Sequence, residues 1–128
     1  MKYLVVLVLV VIAFTALGCL SCNGGQEMEI SLAPIHDVQV NVAESYPPQV
    51  FVYIKGGLPD SCTTLHGYEV ESGGDTIDIA VYNQRPKDVI CAQMYSYFEE
   101  NVNLGSDFVS GQTYTINVND RTVTFVMQ

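Results

Sequence analysis

From residue 27 onward the chain alternates apolar and polar positions in short runs. Val38, Val40 and Val42 are separated by Gln39 and Asn41, Ile77, Ile79 and Val81 by Asp78 and Ala80, and Tyr114, Ile116 and Val118 by Thr115 and Asn117. A period of two puts successive side chains on opposite faces, which is the pattern of half-buried strands. Val50 to Ile54 is apolar throughout and suits a central strand, and Pro47-Pro48 stops the strand before it. No 3.6-residue period follows residue 26. The pattern predicts strands at about 27–32, 37–44, 49–55, 63–71, 76–83, 91–104 (bulged or broken), 112–119 and 122–127.

Turn chemistry sets two registers. A two-residue turn at Asn119-Asp120 places Ile116 against Val123 and Tyr114 against Phe125. A turn at Gly73-Gly74 places Val70 against Ile77, Tyr68 against Ile79 and Glu69 against Asp78. The apolar pairs fall on one face in each hairpin, as a buried face requires.

Seven or eight short strands without a helix predict an all-β fold, a single antiparallel β-sandwich over residues 27–128. The run from Val109 to Asn119, in which Gly111 precedes Tyr114 and a hairpin follows, resembles the penultimate-strand signature of bacterial immunoglobulin-like domains. That resemblance implies an immunoglobulin-like sandwich with Tyr114 as a tyrosine-corner residue, its hydroxyl bonded to nearby backbone. It departs from antibody domains in having no tryptophan. As a whole the chain resembles small lipid-anchored bacterial proteins of unassigned role.

The N-terminus has a different pattern. Lys2 precedes an apolar or small stretch from Leu4 to Leu17, then Gly18-Cys19-Leu20-Ser21-Cys22. This is the layout of a signal peptide. Fourteen residues of helix would reach ~21 Å, short of a ~30 Å hydrocarbon core. Ala16-Leu17-Gly18-Cys19 resembles the lipobox of bacterial lipoproteins, with Ala16 and Leu17 in the reverse of the usual order. The resemblance implies cleavage before Cys19 and a diacylglycerol on its thiol. Residues 1–18 are then the signal and 19–26 the lipidated cysteine and a flexible tether. The expected location is extracytoplasmic, on the membrane or in the envelope. Plain secretion after Gly18 is the rival, and Cys22 has no assigned role.

Charge narrows the partners. Every acidic residue lies after residue 26 and Lys2 leaves with the signal, so four basic residues face fourteen acidic ones, a net of −10. Such a surface is a poor match for nucleic acid and would be repelled by anionic headgroups, so membrane contact would come through acyl chains. Cys62 and Cys91 are the only cysteines in the folded region, and in an oxidising compartment they are expected as a disulfide. Closing a loop of about 30 residues is worth ~3.5 kcal/mol on the chain-entropy model.

Candidate chemistry is sparse. His36 and His66 sit in no catalytic motif, so neither a catalytic set nor a cofactor is implied. Glu69, Glu71, Asp75 and Asp78 cluster near the glycine turn, a candidate cation site whose other reading is a solvated acidic face. Tyr95, Tyr97, Tyr53 and Tyr82 form a candidate surface for a protein or carbohydrate partner, against ordinary strand packing. Arg85-Pro86, in the Asn83–Asp88 connection, resembles one loop of chagasin-like protease inhibitors, but that family's Asn-Pro-Thr-Thr-Gly loop has no counterpart. The sequence therefore predicts a lipid-anchored, non-catalytic binding or structural module, with a secreted protease inhibitor or small enzyme as the alternative.

Overall fold

The computed structural model describes residues 25–128. The expected signal, Cys19 and Cys22 lie outside them. Eight strands follow in order: β1 (Met28–Leu32), β2 (Ile35–Ala43), β3 (Gln49–Leu58), β4 (Thr64–Gly73), β5 (Thr76–Pro86), β6 (Ser96–Gly105), β7 (Thr113–Val118) and β8 (Arg121–Val126). No helix occurs among the described residues. β2, β3 and β6 form one sheet; β1, β4, β5, β7 and β8 form the other.

The two sheets bury the alternating apolar sets that define them. Val52, Ile54 and Val102 from one sheet meet Ile77, Ile79, Val81, Ile116 and Val118 from the other. A second cluster joins Val50, Tyr114 and Met127, with Phe108 and Phe125 packed against it. The Tyr114 hydroxyl accepts a hydrogen bond from the Val109 backbone N–H at 2.8 Å, which ties the segment before β7 to the strand.

One strand pair departs from the predicted antiparallel arrangement: β5 and β7 run parallel, with Ile77 beside Ile116 and Ile79 beside Val118. Parallel neighbours need a crossover, normally a helix. Here β6, in the opposite sheet, takes that place. β4 covers one edge of β5 along Thr76–Gln84, so β1 and β7 share the other edge end to end.

The registers divide. The β7–β8 hairpin pairs Ile116 with Val123 and Tyr114 with Phe125, as predicted, with Asn119 at φ 52°. In β4–β5 the two-residue loop is Gly74-Asp75, so Val70 faces Ile79, Tyr68 faces Val81 and Glu71, not Glu69, faces Asp78. Gly74 takes φ 62° at the first loop position, where a glycine relieves the strain, and Gly73 stays in the ladder opposite Thr76. The slip of two residues keeps every side chain on its predicted face.

β6 begins at Ser96 instead of residue 91. The preceding segment is held by other means: a disulfide joins Cys62 to Cys91, and Ser61 and Ala92 exchange two hydrogen bonds of 3.0 Å. β5 also outlasts its prediction, running to Pro86, so Arg85 lies in the ladder opposite Glu29 instead of in an exposed loop.

Candidate binding face

The outer surface of the β2–β3–β6 sheet is organised in rows. Across the three strands, Asn41 is registered with Phe51 and Asn103, Gln39 with Tyr53 and Asn101, and Asp37 with Lys55 and Glu99. The central strand thus contributes two aromatics and a cation, and both flanking strands contribute amides and carboxylates. Alternation produces this face directly, because Val50, Val52 and Ile54 take the buried positions between Phe51, Tyr53 and Lys55. The Tyr53 hydroxyl donates to Glu99 at 2.6 Å. That hydrogen bond, with smaller contributions from desolvation and from the charges of Glu99 and Asp37, raises the Tyr53 pKa above the ordinary phenol value.

At one end of the rows stands an aromatic cluster. Tyr95 and Tyr97 are half exposed (49% and 56%) and meet edge to face at 5.4 Å between centroids. His36 packs perpendicular to both, 5.7 Å from Tyr95 and 5.3 Å from Tyr97, and its Nε2 is hydrogen-bonded to the Tyr95 hydroxyl. The Lys55 ammonium lies 4.7 Å from the Tyr97 ring centroid, a cation–π contact supplied by the chain itself.

Two local devices build the cluster. The register of β2 against β3 shifts between Ile35 and Asp37, so His36 is an extra residue whose side chain is re-aimed by the bulge. Gly57 lies directly beneath Tyr95: a Cβ there would collide with the phenol oxygen. Its neighbour Gly56 faces the interior, where a Cβ would run into the Phe98 ring. This glycine pair therefore seats one aromatic on each side of the sheet.

Of the four tyrosines expected on one surface, Tyr53, Tyr95 and Tyr97 share this sheet and Tyr82 does not. Tyr82 lies on the outer side of the other sheet, opposite Leu32 and Gly67, in a groove of about 370 Å³ with Ile30, His66 and Glu69. Two sheets each with an outer face give outward tyrosines the same alternation, so periodicity alone does not separate them. Sequence reasoning left His36, Lys55 and Phe51 out of the surface. Strand pairing across β2, β3 and β6 is the signal that gathers them.

The acidic quartet does not converge. Glu69, Glu71 and Asp78 line a groove of about 300 Å³ on the β1–β5–β7 side, whereas Asp75 sits in the turn. No three of these carboxylates bring oxygens within 4.8 Å of one another. Asp78 instead accepts a hydrogen bond from Asn117 Nδ2 at 2.8 Å. Among the described residues, the one such group of His, Cys, Asp or Glu is Asp60, Cys62 and Cys91, and its two sulfurs are joined to each other.

The fold is that of a small β-sandwich domain with an amide-and-aromatic outer face on one sheet. Residues 52–127, from β3 to the end of β8, match the family described as the ORF11 beta-sandwich domain, and the chain belongs to that family. Lys55, Tyr95 and Tyr97 fall within the match; His36 precedes it. Among relatives, the chain is 43% identical over 86 residues to the "Uncharacterized 10.2 kDa protein in HgiCIIM 5'region" of Herpetosiphon aurantiacus, covering 67% of this chain and 90% of that protein. It is also 43% identical over 76 residues to the "Uncharacterized 10.2 kDa protein in HgiBIM 5'region" of the same organism, 59% of this chain and 92% of that protein. No solved structure matches.

Proposed function

We propose that this protein is a non-catalytic, lipid-anchored module of the cell envelope that binds carbohydrate on the outer face of β2–β3–β6. The observation that carries this reading is the set of rows in which Phe51 and Tyr53 are flanked by Asn41, Gln39, Asn101 and Asn103, leading to the Tyr95–Tyr97–His36 cluster. Sugar rings offer apolar C–H faces bordered by hydroxyls, and a flat field of aromatics bordered by amides answers both. Lys55 already occupies the face of Tyr97, which favours a neutral ligand there over a cationic one.

The anchor is Cys19, which follows the lipobox-like Ala16-Leu17-Gly18, with residues 19–26 as tether. An acidic domain would be held off an anionic bilayer by its own charge, leaving the face free. The immunoglobulin-like kinship rests on Tyr114 and its bond to Val109.

Sedimentation of the purified chain with insoluble polysaccharides (cellulose, chitin and peptidoglycan) tests the reading. Retention on at least one is expected, weakened about tenfold or more by Tyr97→Ala and Asn101→Ala at unchanged melting temperature. Absence of retention on all three, or equal retention of the variants, would refute it. Mass spectrometry of the N-terminus tests the anchor separately: an acylated Cys19 is expected, and an unmodified one contradicts it.

A further inference from the structure

In β1 the alternation runs opposite to that of a core-covering strand. Ser31 stands beside Asn83, which is buried on the inner side of β5, so Met28, Ile30 and Leu32 face outward. Ile30 and Leu32 are 52% and 59% exposed. Leu32 is registered with Tyr82, which extends this apolar area onto β5. Further along β5 the same face turns acidic: Glu69 lies opposite Ala80, and Glu71 opposite Asp78. The apolar and acidic halves adjoin, because the grooves of about 370 Å³ and 300 Å³ on this side are both lined by Glu69.

We propose that the outer face of β1, β5 and β4 docks a polypeptide segment in which apolar residues adjoin lysines or arginines, independently of the β2–β3–β6 face. A row of apolar side chains turned to solvent and rimmed by polar residues marks an interaction surface. Charge names its occupant. Among the described residues the ion pairs are Arg85–Asp60 and Lys87–Glu27, so Glu69, Glu71 and Asp78 have no ion-pair partner there. The remaining cations are engaged elsewhere, Lys55 over the Tyr97 ring and Arg121 at the Ile35 carbonyl. A basic segment supplies the charge that this face lacks, and its apolar neighbours cover Ile30 and Leu32. An anionic membrane would be repelled by the same carboxylates. A second copy, related by a two-fold axis, would set them against their own kind. The dimensions suit a short stretch of chain: from Gln84, the register partner of Ile30, to Asp78 is about 20 Å along β5, the reach of an extended hexapeptide.

Titration of the ¹⁵N-labelled chain with capped hexapeptides of three leucines next to three lysines, in either order, tests this by NMR. Saturable shifts at the Leu32, Ala80 and Glu69 amides are expected for at least one order. Serines in place of the leucines, or glutamates in place of the lysines, should weaken binding about fivefold or more. The double variant Glu69→Gln, Glu71→Gln, at two exposed positions, should lose about fivefold, and Leu32→Ser a similar factor. Should Leu32→Ser fail to fold, Ile30→Ser is expected to show the same loss. Non-saturating shifts, a serine peptide that binds as well as the leucine one, or undiminished binding in the glutamine variant would each overturn the proposal. So would shifts confined to the Tyr95 and Tyr97 side, which would place the peptide on the other sheet. A dimer of the chain alone that Leu32→Ser dissociates would also overturn it, by making a second copy the occupant.

Discussion

The side-chain amide of Asn119 binds the peptide group of Val81 as a neighbouring strand would: Oδ1 accepts from the Val81 N–H at 2.9 Å and Nδ2 donates to the Val81 carbonyl at 3.0 Å. Nδ2 also reaches the Ala33 carbonyl at 2.7 Å, and the Asn119 N–H donates to the Ile79 carbonyl at 3.1 Å. Val81 stands where β7 has stopped pairing with β5 and β1 has yet to begin, so Asn119 fills the break in the ladder together with the Ala33 N–H, which donates to the same carbonyl at 2.9 Å. Asn119→Ala strands the Val81 N–H and leaves at φ 52° an alanine, which tolerates the left-handed region less well than asparagine. A loss of about 2–3 kcal/mol is expected from urea unfolding. Asn119→Gly, which relieves the dihedral but not the missing amide, should recover only part of it.

Tyr114 isolates a single hydrogen bond. Its ring packs on Phe108 at 4.9 Å and on Phe125 at 5.6 Å, and these contacts survive Tyr114→Phe. Only the acceptor for the Val109 N–H is removed. A loss of about 1 kcal/mol is expected, read as a lower denaturant midpoint at unchanged slope.

Gly56 and Gly57 should respond differently to the same added methyl. Gly56→Ala meets the Phe98 ring and the Pro34 carbonyl in a packed interior, and a cost of about 1–3 kcal/mol is expected. Gly57→Ala meets the far end of an exposed tyrosine that can swing outward. It should leave stability nearly unchanged while altering the His36 and Tyr97 ring resonances in NMR, because Tyr95 leaves them.

Asp60 sets an acid limb on stability. Its pKa lies below the ordinary carboxylate value, chiefly through the Thr63 hydroxyl, then opposed by desolvation and aided by the Cys62 N–H, Arg85 and the Thr63 N–H. A group depressed in the folded state stabilises fully above its unfolded pKa, and that contribution fades as pH falls through the folded one. Thermal melts should therefore drop steeply below about pH 4. In Asp60→Asn the starting stability should be lower and the drop shallower. An equally steep drop in that variant would contradict the assignment.

These sites were unequally legible in the sequence. The eight strands and the β7–β8 register followed from alternation and turn chemistry because both are local. The hydroxyl bond of Tyr114 was implied instead by the resemblance of Val109–Asn119 to immunoglobulin-like domains. The parallel β5–β7 pair was not, since nothing in either strand states that β6 crosses between them in the other sheet. The β4–β5 register failed by two residues because Gly73 and Gly74 can each adopt φ > 0, and only the ladder decides which does. His36 was left off the surface because the bulge that aims it shows in the sequence only as a one-residue break in alternation between Ile35 and Val38. Asn83 and Arg85 looked like loop residues, being polar after an apolar run, yet they continue the strand inward.

The Asn119 bridge also orders events in time. It joins positions 86 residues apart, Ala33 and Asn119, so this tie between the end of the first strand and the end of β7 forms only once seven of the eight strands have been made. Contacts of such long separation close late and slowly. The ladder around Val81 is therefore complete only when seven strands are in place.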